Sequence, residues 1–206
     1  ALLGNEPSAA VLEITILGPT LQFAADCLVA ITGGDLVPKL DGRLLPMWEA
    51  VFVRRDSRLS FGQRRSGCRA YLAVAGGLDV PPVLGSRSTY LRGGFGGYKG
   101  RALRAGDVLP LGRQPRKAGG RWAGRCLARE LVPSYDEPAV VRVIPGPQDD
   151  HFTAEAVAAL FQAEYRVGSA SDRMGYRLEG PALAHAAPAE IVSVGVALGS
   201  NQVPAD

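Results

Sequence analysis

Gly85-Ser86-Arg87-Ser88-Thr89 sets three hydroxyls around one guanidinium. Hydroxyls beside a bidentate cationic fork suit the capture of a carboxylate, a phosphate or a developing oxyanion. Five glycines follow between Gly93 and Gly100, bracketed by Arg92, Lys99 and Arg101. Such a loop lets backbone N–H groups approach an anion closely. A second polar stretch, Ser171-Asp172-Arg173-Met174-Gly175, puts an acid next to a base. Sequence neighbours do not face each other, so Asp172 is a candidate proton acceptor and Arg173 a candidate clamp. Gln148, after Pro145-Gly146-Pro147, is suited to orienting an amide. Each stretch has a plainer reading: a surface connection around Arg87, a turn whose Asp172 accepts backbone N–H groups, and a polar lead-in to a helix at Gln148.

Other chemistries find less support. Gly94-Phe95-Gly96-Gly97-Tyr98-Lys99 lacks the third glycine of a dinucleotide fingerprint, and no Gly-Lys pair precedes a Ser or Thr. A G-x-S-x-G elbow is missing as well. His151 and His185 are distant in sequence and read as surface residues, and no metal site is expected. Cys27, Cys68 and Cys126 have no metal-ligand spacing and read as free thiols of a reducing, cytoplasmic compartment. The net charge of +3 rests on 23 basic residues without aromatic interleaving, which argues against a nucleic-acid partner. No apolar run approaches the roughly 20 residues of a membrane span, so no membrane partner is expected.

The elements that must position these loops are mostly strands. Leu12, Ile14 and Ile16 alternate with Glu13 and Thr15. Cys27 to Thr32 reads as a strand stopped by Gly33-Gly34, and Asp41-Gly42 as a hairpin turn. Trp48 to Val53, Arg58 to Phe61 and Arg69 to Ala75 continue the series, the last as the central strand. Arg113 to Gly124 is the best linker candidate. Val140 to Ile144 and Ile191 to Leu198 read as strands, and Ser169 to Gly180 as a polar loop or short hairpin. One helix is expected over Thr153 to Tyr165, capped by Thr153, with Val157, Leu160, Phe161 and Tyr165 on one face. Strands punctuated this densely indicate a mainly β, antiparallel barrel or sandwich.

Several blocks in order resemble the biotin-dependent carboxyltransferase family, also called allophanate hydrolase subunit 2 or the C component of 5-oxoprolinase. They are Ala9 to Thr15 with Gly18-Pro19, Arg69 to Gly77, Gly85 to Thr89, and Gly106-Asp107 with Leu109-Pro110-Leu111. Ile144 to Gln148, Ser171 to Gly175, Arg177 to Pro181 and Gln202-Val203-Pro204 complete the set. The resemblance implies two cyclophilin-like β-barrel domains, residues 1–135 and 136–206, with family segments missing at both ends and either barrel open to being incomplete. It implies a partner, the B component of the same system, as a separate or fused chain. The activity implied is ATP-dependent opening of 5-oxoproline to glutamate, with ATP used by the complex. One alternative is the carboxyltransferase part of a urea carboxylase, with any biotin carried by another domain. Another is a non-catalytic regulator that sequesters the B component, as an antagonist of a kinase inhibitor. On this reading Ser86, Arg87, Ser88, Thr89 and Gln148 bind the small amide substrate, and Asp172 and Arg173 are catalytic. Arg87 and Asp172 are expected to face one cleft.

Overall fold

The computed structural model describes residues 1–113, 122–135, 140–188 and 195–204. The chain divides into two compact units, Ala1–Ala139 and Val140–Asp206. No helix among the described residues is long and apolar enough to cross a membrane.

Among the described residues the first unit has eight strands: β1 (Leu12–Thr15), β2 (Leu21–Gln22), β3 (Cys27–Asp35), β4 (Pro38–Leu40), β5 (Arg43–Leu44), β6 (Val51–Val53), β7 (Arg58–Phe61) and β8 (Ser66–Val74). They form two antiparallel four-stranded sheets, ordered β1-β8-β3-β6 and β2-β7-β4-β5. Period-two alternation decides the inner face. Ala70, Leu72 and Val74 of β8 are buried, while Tyr71 and Ala73 between them are half-buried. The register places Leu72 opposite Leu12 and Ile31, so three strands present apolar side chains to the same side. Those side chains meet Leu36, Leu45 and Leu59 in one core, with Phe61 packed at its edge. Burial of a side chain as large as Ile31 or Leu59 contributes about 1.5–3 kcal/mol relative to exposure.

β3 is the strand buried on both faces. Cys27, Val29 and Ile31 enter the main core, whereas Leu28 and Ala30 face a second cluster with Leu3, Ala50 and Ala75. This explains its continuous apolar run where β8 alternates. The strand does not stop at Gly33-Gly34 but bulges there and ends at Asp35. Gly33 takes φ +86°, and a Cβ at that position would run into the carbonyl of Arg69. The glycine that looked like a stop signal is what lets β3 stay paired to β8. At the tip of the β4–β5 hairpin, Asp41 and Gly42 have φ of 49° and 83°, the handedness of a type I′ turn. The Asp41 carboxylate accepts the Arg58 N–H at 2.7 Å, tying the turn to β7.

In the second unit, helix α1 spans Ala154–Gln162. Thr153 caps it by accepting the Ala156 N–H at 3.1 Å. The helix ends before Tyr165 and buries Ala156, while Phe161 is exposed. Of the face expected from the sequence period, Val157, Leu160 and Tyr165 are half-buried and Phe161 alone is exposed. β9 (Arg166–Val167) pairs with β10 (Leu178–Glu179), making the Ser169–Gly180 stretch a short hairpin. Residues 140–144 are not a strand, and Val140 and Ile144 are about nine-tenths exposed. An apolar run forms a strand only when a ladder partner accepts its backbone groups, and among the described residues no ladder includes it. Residues 195–198 are likewise outside any strand, and 191–194 fall outside the described residues, as does most of Arg113 to Gly124.

Candidate functional site

The Ser86–Thr89 loop leaves the sheet at the Val74 end of β8. Leu78 pairs with Ala10 and Leu111 just beyond that end. Two residues later, the carbonyl of Val80 accepts a hydrogen bond from the Arg87 guanidinium. Between them the chain reverses in one tight turn. Val83 and Ser86 exchange both backbone hydrogen bonds, at 2.7 and 3.0 Å, around Leu84 and Gly85. Both turn residues have positive φ, 50° and 76°, so Leu84 holds a left-handed conformation that glycine adopts without strain. The Ser86 hydroxyl accepts the Ser88 N–H at 3.1 Å. Ser86, Ser88 and Thr89 are exposed and Arg87 is half-buried, its head tucked under its own loop. Val80 engages one of the five donors a guanidinium carries.

The glycine-rich stretch packs directly on this loop. A side chain at Gly96 would meet the Ser88 carbonyl, and one at Gly97 would meet the Thr89 hydroxyl. Tyr90 and Phe95 close the turn between the two stretches, exchanging a backbone hydrogen bond at 2.9 Å and stacking edge to face at 5.3 Å. The glycines therefore serve close approach of two backbones at least as directly as approach to an anion. Of the flanking cations, Arg101 has a structural partner. It grips Asp107 with two bonds of 2.7 Å, and Asp107 also accepts the Arg104 N–H at 2.7 Å. Those bonds, the Arg101 pair first and the backbone donor second, hold the Asp107 carboxyl well below the usual carboxylate range. Lys99 lies 5.0 Å from the centre of the Tyr98 ring, a cation–π contact.

Asp172 and Arg173 belong to the second unit, at the tip of the β9–β10 hairpin. The Asp172 carboxylate accepts the N–H groups of Met174, at 2.7 Å, and Gly175, at 3.3 Å, through one oxygen. Ser171 bridges the hairpin by accepting the Arg177 N–H at 2.9 Å. The turn geometry expected of an Asp in such a loop is present. Arg173 is exposed. Gln148 is half-buried and precedes a single 3-10 turn, Asp149–His151, whose last N–H it accepts at 3.2 Å through its backbone carbonyl. Each of these loops is thus ordered by its own hydrogen bonds. Arg87 lies in the first unit, and Asp172, Arg173 and Gln148 in the second.

Two features escaped the sequence reading. His151 and His185, read as surface residues, are both half-buried, and His185 stacks on Phe152 at 4.7 Å where the two backbones bridge. Their separation in sequence hid this. The second feature is concave surface at the opposite end of β8. Two clefts of about 440 and 350 Å³ meet at Asp35 and Met47. None of Ser86, Arg87, Ser88 or Thr89 lines either one.

Comparison with known proteins agrees with this architecture. Residues 1–206 match the family described as carboxyltransferase domain, subdomain A and B. The chain is 36% identical over 203 residues to the C component of the Escherichia coli 5-oxoprolinase, covering 98% of this chain and 63% of that protein. It is 39% identical over 184 residues to urea amidolyase of Saccharomyces cerevisiae, covering 87% of this chain and 10% of that protein. The crystal structure of the K. lactis urea amidolyase superposes with a TM-score of 0.78 at 34% identity, over 90% of this chain and 12% of that one. The chain spans less than two thirds of each of these relatives. Its mainly β, antiparallel build with one α-helix among the described residues is shared by a family whose members are named as enzyme subunits or as parts of larger enzymes. The chain belongs to the carboxyltransferase domain family, subdomains A and B.

Proposed function

We propose that this chain works as part of the C component of an ATP-dependent 5-oxoprolinase-type complex, acting with a B component on a small cyclic amide. The observation that carries the proposal is the similarity to a 5-oxoprolinase C component along almost the whole of this chain and the larger part of that protein. An amide is a poor electrophile, and ATP-driven activation of its carbonyl oxygen generates anionic oxygen that needs positioned donors. Arg87 is assigned the substrate carboxylate or the developing oxyanion, with the exposed hydroxyls of Ser86, Ser88 and Thr89 beside it. Gln148 orients the amide, Asp172 handles a proton, and Arg173 supplies a second positive charge. ATP is bound and spent by the complex, not assigned to a residue of this chain.

A second reading is favoured by the similarity to urea amidolyases in both sequence and structure. In that case the chain is part of a carboxyltransferase acting on urea, and the same donors stabilise the oxyanion of carboxyl transfer from a biotin held on another domain. A third reading is a regulator that binds the B component without turnover. The full-length parent, purified with its B component, separates the three. ATP-dependent release of glutamate from 5-oxoproline is the expected result. Biotin- and bicarbonate-dependent consumption of ATP on urea, without 5-oxoproline opening, would replace the first reading with the second. Tight association with neither turnover would leave only the regulator.

A further inference from the structure

The concave surface at the Asp35 end of β8 has the makings of a ligand site. Asp35 is paired with Ser66, the first residue of β8, whereas the Arg87 loop departs beyond Val74, its last. Eight strand steps of about 3.3 Å separate the two ends by roughly 26 Å. The surface is therefore distinct from the loop assigned to the amide. Its two clefts, of about 440 and 350 Å³, are shallow and open to solvent.

Two residues there hold a left-handed backbone. Val37 has φ 52° and Trp48 φ 61°, a left-handed backbone that is costly for a β-branched or bulky residue. Both are held through hydrogen bonds of their backbone groups. Val37 donates its N–H to the Asp35 carboxylate at 2.8 Å and accepts the Gly62 N–H at 3.0 Å. Trp48 donates to Ile31 at 2.7 Å and accepts from Leu127 at 2.9 Å. The bulge at Gly33 lies in the same region and re-aims Asp35 toward the cleft.

Asp35 lines both clefts, and Arg65 lines the one with Val37 and Met47. The Asp35 carboxylate and Arg65 guanidinium are 3.6 Å apart, longer than a charge-assisted hydrogen bond, and partly exposed, at 32% and 63%. On one side lie Val37, Pro38, Leu44 and Met47, and on the other Trp48, Ser66 and Tyr135. A ligand with a single charge would meet its opposite here but also a like charge beside it, which costs binding energy. A zwitterion satisfies both. An α-amino acid carries its ammonium and carboxylate one carbon apart, a spacing that a pair 3.6 Å apart can match. We infer that this cleft binds a small zwitterion of the α-amino acid class, its ammonium at Asp35, its carboxylate at Arg65 and an apolar side chain against Val37 and Met47. The inference does not depend on which amide the complex processes.

L-norleucine, hexanoate and pentylamine share one apolar arm and differ only in charge, so they are the probes. Titrated into the 206-residue chain by calorimetry and amide NMR, L-norleucine should bind saturably and shift the amides of Asp35, Val37, Met47 and Arg65. Hexanoate and pentylamine should each bind at least about tenfold more weakly, since each loses one charge-assisted contact. Asp35→Asn keeps an oxygen for the Val37 N–H, so the strained turn should survive. It should weaken L-norleucine about tenfold and bring it level with hexanoate. Arg65→Gln should do the converse, bringing L-norleucine level with pentylamine. Leu44→Glu, at a residue 62% exposed, leaves the core untouched and should also weaken binding by crowding the apolar lobe with charge. Failure of L-norleucine to saturate up to its solubility overturns the inference. So does equal binding of the three probes to the unmodified chain, or shifts confined to other residues.

Discussion

Arg87 shows how a sequence motif and its geometry come to differ. Its guanidinium is committed in part to Val80, so it is both a loop anchor and a candidate anion clamp. In the full-length complex, Arg87→Ala should lower kcat/KM by roughly 30- to 1,000-fold, about 2–4 kcal/mol of transition-state stabilisation, while leaving association with the B component intact. Arg87→Lys should hurt nearly as much, because lysine keeps the charge but loses the planar fork. An unchanged kcat/KM for the alanine variant would remove Arg87 from the site. Asp107 offers a test by pH. Its pair with Arg101 lowers the carboxyl pKa in the folded state, so the folded protein binds fewer protons than the unfolded chain. The stabilisation is full above the unfolded carboxylate value of about 4 and is lost as pH falls toward the folded value. Asp107→Asn should therefore lower the urea midpoint at pH 7 and flatten its fall in acid. Parallel midpoint-versus-pH curves for the two proteins would show that the pair contributes nothing.

Among the elements, β3 and α1 make opposite demands on a single residue. Gly33 sits where two backbones nearly touch at positive φ, so Gly33→Ala must move β8 or break the bulge. Its cost should exceed the roughly 1 kcal/mol of an ordinary glycine effect, and amide protection along β3 should fall with it. Thr153→Ala removes one hydrogen bond from a helix end, so a loss of about 1 kcal/mol confined to the second unit is expected in denaturant titration. A larger effect for Thr153→Ala than for Gly33→Ala would mean that the double-faced burial of β3 is not what organises the first unit. Leu84 is a contrasting case. It holds a left-handed turn and is 91% exposed, so its conformation is set by the Val83–Ser86 hydrogen bonds rather than by packing.

For the whole molecule, the relatives are subunits or parts of larger chains, and this chain spans 63% of one and 10% of another. A protein partner accords with the surface. Leu84, Leu91 and Val108 in the first unit are exposed by 91%, 62% and 76%. Apolar groups left in water at this level, if contiguous beyond a few hundred Å², mark an interface. Sedimentation of the chain with a full-length B component should give a complex, and Leu84→Asp with Leu91→Asp should weaken it without lowering the melting temperature. Absence of any association would separate this chain from that pairing altogether.

What the sequence determined by itself is what depends on neighbours along the chain. Leu12 and Ile14 alternate because a half-buried strand has period two, Asp41-Gly42 turns because its residues tolerate positive φ, and Thr153 caps because its hydroxyl is three residues from a free N–H. The block order from Ala9 to Pro204 carried the family in the same way, as local patterns kept in register. Tertiary structure decided whatever needed a partner from elsewhere. Val140 to Ile144 has the composition of a strand but joins no ladder among the described residues, and Gly33-Gly34 has the composition of a break but is held in a ladder by β8. Arg101 has the chemistry to face an anion, but the fold pairs it with Asp107. The Asp35–Arg65 cleft was invisible because its two charges are separated along the chain and meet only when the bulge in β3 aims one of them at the other.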